Sequence, residues 1–147
     1  MAVAAAAEIP VSKRPSIAAR VIATVSGVAA VAGVAAIWSG LTVMLRDPCG
    51  WVAVLAALDA ALLLRLASFP PGRERALFAL AITWATVVAG AYLFASASVG
   101  LLLGMMPSES IWKMSASLAY LYVQANTGWV ELGWLAVATV VAWFSSR

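Results

Sequence analysis

Residues 76–106 contain no Asp, Glu, Lys or Arg, and a segment of that length and polarity has few places to go. About 20 apolar residues cross a bilayer as a helix, so this run predicts a crossing with residues to spare, taken up by tilt or by projection beyond the hydrocarbon. Residues 21–45 form a second uncharged run long enough to do the same. The whole chain agrees with them: 65% of its 147 residues are hydrophobic and 10% charged, with a mean hydropathy of +1.01. Soluble domains hold roughly 45–50% apolar residues, so the composition predicts an integral membrane protein with no separate soluble domain.

Helix-breaking residues divide the remaining sequence. Arg46, Asp47, Pro48 and Gly50 mark a tight turn, with Trp51 as an interfacial anchor. Pro70, Pro71, Gly72 and the charged trio Arg73, Glu74 and Arg75 mark a second connection, and Pro107, Ser108 and Glu109 a third. The expectation is an all-α, single-domain, four-helix membrane bundle with short loops and helices at 17–45, 51–68, 76–106 and 118–144. An interfacial segment is expected over 109–118, with Ser108 as its N-cap and Glu109 in its first turn. Asn126, Thr127 and Gly128 mark a kink or unwound stretch near the start of the last crossing, because asparagine and glycine compete with regular helix.

Positive charge is distributed unevenly over these connections. Lys13, Arg14 and Arg20 precede the first helix, Arg65, Arg73 and Arg75 surround the central loop, and Arg147 ends the chain. The opposite side holds only Arg46 and Lys113. The positive-inside rule therefore predicts that both termini are cytoplasmic, in a plasma or inner membrane. The net charge of +3 does not signal nucleic-acid binding, because the basic residues lie at helix ends and not on a soluble face.

A lone cysteine, Cys49, excludes an intrachain disulfide or a dithiol redox pair, and its expected place is as a small residue in a turn. With no histidine in the chain there is neither a bis-imidazole haem site nor a histidine general base, and no cofactor or metal is expected.

Two carboxylates stand out against this apolar background. Asp59 falls near the middle of the second helix, six residues from Arg65 and so on a different face from it. Glu131 interrupts the last apolar run, and reading back from it Thr127, Gln124 and Tyr120 recur at helical spacing to form one polar stripe. On straight helices the two carboxylates lie within a few ångström of the same depth, close enough to meet and share a proton. Packing candidates are Gly33 and Gly40 in the first helix and Ser96, Gly100 and Gly104 in the third, where small residues four apart let backbones approach. Tyr92 lies one turn before Ser96 on the same ridge.

Three functional readings follow. In the first, a non-enzymatic protein uses Asp59 and Glu131 as polar contacts, either as an accessory or assembly subunit of a larger membrane complex or as a homo-oligomer. In the second, a small proton- or cation-coupled transporter or channel uses Asp59, Glu131, Gln124, Thr127 and Tyr120 as its ion site. In the third, the two carboxylates serve as acid and base in a lipid-modifying enzyme. The first is favoured, because the sequence shows no second basic residue at depth, no obvious discontinuous helix pair and no inverted repeat of the transporter kind.

Overall fold

The computed structural model describes residues 16–146, and the described residues form six helices with no strand. They are α1 (Ile17–Leu45), α2 (Val52–Leu66), α3 (Arg73–Leu102), α4 (Pro107–Lys113), α5 (Ala116–Asn126) and α6 (Trp129–Ser145). Lys13, Arg14 and Arg147, used above for orientation, lie outside the described residues.

Local chemistry sets most of the helix ends. The Ser16 hydroxyl accepts the Ala19 N–H at 3.1 Å and starts α1, which ends where Arg46 turns left-handed at φ 54°. At the end of α2, the Phe69 N–H reaches Leu64 O and the Ser68 N–H reaches Arg65 O, with Ser68 left-handed at φ 54°. This paired closure satisfies the last carbonyls before Pro70 and Pro71 stop the chain. The third helix closes in the same way, from Met105 N–H to Gly100 O and from Gly104 N–H to Leu101 O, with Gly104 at φ 69°. Glycine adopts that conformation without a Cβ penalty, so α3 ends at Leu102 and not near 106. The N-cap of α4 is Met106 with Pro107 in the first turn, one residue pair earlier than a Ser108 cap, and Glu109 occupies the first turn.

The expected last crossing is two helices. α5 and α6 are bent by 104° at a break spanning Thr127 and Gly128. Two helices, α1 and α3, are long and apolar enough to cross a membrane, and α5 with α6 makes a third if the bent pair counts as one span. At about 1.5 Å per residue α2 reaches only about 22 Å, short of a hydrocarbon core about 30 Å thick.

α3 is central: it packs on α1, α2, α4, α5 and α6, and α2 also packs on α1 and α6. Arg20 at the start of α1 pairs with Glu74 at the start of α3 at 3.5 Å, so these helices begin at one end. At that same end Arg65 Nη2 donates to Ser145 O at 2.9 Å and Arg75 Nε to Ser146 O at 2.7 Å, so α2 and α6 finish where α1 and α3 begin. The interfaces are built from small side chains. One core cluster gathers Trp38, Cys49, Val52, Ala53, Ala57, Ala138 and Ala142, and the other Ala23, Leu64, Phe69 and Ala79. Alanine lets helix backbones approach closely, which matters where lipid competes for every apolar contact. Thr83 and Thr86, both buried, donate to the carbonyls of Ala79 and Ile82 in their own helix, which satisfies their hydroxyls.

Candidate functional site

The turn between α1 and α2 folds back into the protein. Trp38 Nε1 donates to Pro48 O at 3.0 Å, and the Asp47 carboxylate accepts the Cys49 N–H at 2.9 Å. Cys49 is buried in this turn, with φ at 50°. Gly50 then meets α6: a Cβ there would lie 3.3 Å from the Glu131 Cα and 3.2 Å from the Trp134 ring. Burial, and secondarily the Asp47 charge, push the Cys49 thiol above its ordinary pKa. Alkylation by N-ethylmaleimide at pH 7.5 is therefore expected to be slow in folded protein and to reach the free-thiol rate only on unfolding. Equal rates before and after unfolding would contradict this placement.

Above that turn lies a cavity of about 380 Å³. Trp38 and Thr42 of α1, Val87, Gly90 and Phe94 of α3, Tyr120, Val123 and Gln124 of α5, and Leu132 and Leu135 of α6 line it. Gly90 lets α3 approach Trp38 closely here, since a Cβ would come within 3.1 Å of the Trp38 ring and the ring would have to shift. Tyr120, Gln124, Thr127 and Glu131 all border this cavity. The stripe is thus gathered around one space, although the helix that was to carry it is broken between Thr127 and Glu131.

Their hydrogen bonds set what each can do. Thr127 spends its hydroxyl on Val123 O at 2.7 Å, and Asn126 Nδ2 donates to Tyr122 O at 2.8 Å. Glu131 Oε2 accepts the Gly128 N–H at 2.8 Å, closing the first turn of α6. That role has a sequence signal: a glycine and a glutamate three apart, directly after Asn126 and Thr127, have capping-box spacing. Among the described residues, Gln124 and Tyr120 have no hydrogen-bond partner and Glu131 has no ion pair.

Asp59 is elsewhere. It lines neither this cavity nor the second one beside Trp51 and Trp134. Measured along the helices at about 1.5 Å per residue, Glu131 stands about 21 Å from the arginine-rich end and Asp59 about 9 Å. The near-equal depth and shared proton expected from straight helices are therefore replaced by a separation of about 12 Å along the axis. Asp59 is half-buried at the edge of the outer face of α2, beside exposed Leu55, Leu58 and Leu62, and has no hydrogen bond or ion pair among the described residues.

The packing candidates separate into three situations. A Cβ on Gly100 would lie 2.6 Å from the Ser110 Cβ, and Ser96 Oγ is 3.1 Å from Ser110 Oγ, so both seat α4 on α3. Tyr92 adds to this seat, donating towards Ile111 O and Met114 O at 2.9 and 3.1 Å. Gly104 has open space and serves the backbone closure of α3 in place of the expected helix contact. Gly33 and Gly40 also face open space, on the side of α1 turned away from the other helices.

No protein-family model matches this chain, and neither a curated protein nor a solved structure matches it.

Proposed function

We propose that the protein is a non-enzymatic subunit of a larger membrane complex, held in it laterally through the outer face of α2. The observation that carries this reading is Asp59, a half-buried carboxylate among exposed leucines that has no hydrogen-bond or ion-pair partner among the described residues. An aspartate on a helix within the membrane is costly, and a donor from another helix offsets that cost. A second copy of this chain is the poorer source, because its long apolar runs carry no Lys or Arg at depth. A foreign helix with a basic side chain supplies the donor directly.

In this reading α1, α2, α3 and α6 form a four-helix bundle in an inner or plasma membrane, with the arginine-rich end on the cytoplasmic side and both termini there. Arg20, Arg65, Arg73 and Arg75 at that end, against Arg46 and Lys113 at the other, support the orientation. Asp59→Asn is expected to keep the association, since an amide still hydrogen-bonds, whereas Asp59→Leu is expected to weaken it at least tenfold with the fold intact. The check is the amount of co-purifying chain recovered from native membranes in mild detergent. Equal recovery with Asp59→Leu would remove the support. The alternative, an ion-coupled transporter built on both carboxylates, is weakened by the distance between Asp59 and Glu131.

A further inference from the structure

We propose that the cavity between α3, α5 and α6 is a binding site for a cationic amphiphile, a single-tailed amine whose ammonium pairs with Glu131 and whose tail fills the space against Trp38, Val87 and Phe94. The walls are mostly apolar, and Gln124 and Glu131 are among the few polar residues that border the space, so a tail has apolar walls to fill and a head group has polar partners. Its volume of about 380 Å³ lies within the roughly 300–1,000 Å³ of small-molecule sites. At about 30 Å³ per non-hydrogen atom, the share of a water molecule in the liquid, it takes about a dozen such atoms.

Charge chooses the head group. One oxygen of Glu131 caps α6, and no cation pairs with the carboxylate among the described residues. An anionic head would meet like charge, and a neutral apolar ligand would bury the carboxylate without compensation. An ammonium gains the carboxylate and the free side-chain oxygen of Gln124, which border the same cavity. Apolar surroundings strengthen that attraction over its value in water. This inference is independent of the Asp59 interface, which lies on another face.

The test uses the full chain in phosphatidylcholine nanodiscs and radiolabelled decylamine, with protein-free discs as the measure of simple partitioning. The expected result is one saturable site per chain, not displaced by decanoate of equal length. Glu131→Gln should weaken binding at least tenfold while retaining α6, because the amide oxygen still accepts the Gly128 N–H. Glu131→Asp should restore part of the affinity, and Ala91→Phe, which fills the cavity from α3, should abolish saturable binding. Circular dichroism on each variant reports whether the helices remain. Uptake equal to that of empty discs, displacement by decanoate as effective as by unlabelled amine, or wild-type affinity in a folded Glu131→Gln variant would each overturn the proposal.

Discussion

Replacing Gly100 with leucine should unseat α4 and lower the thermal stability of the detergent-solubilised protein more than any single change on the outer face of α1. The first atom added to Gly100 already lies 2.6 Å from the Ser110 Cβ and 2.7 Å from its Oγ, closer than side chains pack. Ser110 cannot move aside freely, because it is buried and its hydroxyl is tied to Pro107 O and Ser96. Overpacking of this kind costs about 1–3 kcal/mol, and the hydrogen bonds from Ser96 and Tyr92 that α4 would lose add about 1 kcal/mol each. Gly100→Ala should fall between wild type and leucine. Gly33→Leu, where the added side chain meets open space, should leave the unfolding temperature of the monomer unchanged. If Gly100→Leu also left it unchanged, the seat of α4 on α3 would be wrong.

Arg75→Met should release the end of α6. Arg75 is buried at the start of α3, and its guanidinium donates to Ser146 O at 2.7 Å and towards Phe69 O at 3.5 Å. A cation at the carbonyl end of a helix also meets the negative end of its dipole. Methionine keeps much of the volume but none of the donors, so the change should cost about 2 kcal/mol, the range for a charge-assisted hydrogen bond with its acceptor left buried. Arg65→Met should cost less, because Arg65 reaches Ser145 O from an exposed position. Thermal unfolding orders the two variants, and carboxypeptidase digestion reports the freed end directly. Equal stability of Arg75→Met and wild type would mean that the contact contributes nothing.

Much of this architecture was legible because proline, glycine and charge mark where greasy helices must stop. Pro48, Pro70, Pro71 and Pro107 each fall outside a helix or in its first turn, and Arg20, Arg65 and Arg75 gather at one end. Long uncharged runs identify α1 and α3 for the same physical reason that lets them pass a length test for crossing. The last crossing was harder to read. Counting back one bilayer thickness from Trp143 assumes a straight rod, and that assumption placed Glu131 level with Asp59. The break at Gly128 removes it: Glu131 turns inward to cap α6, and α5 leaves at 104°. The cavity itself was out of reach, since Trp38, Phe94 and Leu135 meet only once three helices are packed. Local spacing says which residues share a face but not which faces meet.

The same distinction applies to Asp59. Its isolation on α2 is not visible from sequence, where Glu131 stands as a potential neighbour; only the packed helices leave it half-buried at the edge of the outer face. The measurement that tests the central claim most directly is a photo-crosslink from p-benzoylphenylalanine placed at Leu62, on the exposed face beside Asp59, in native membranes followed by mass spectrometry of the adduct. The account predicts one foreign membrane chain joined to this protein in stoichiometric yield, lost in Asp59→Leu and retained in Asp59→Asn. Adducts with lipid alone, or with a second copy of the same chain irrespective of residue 59, would contradict it.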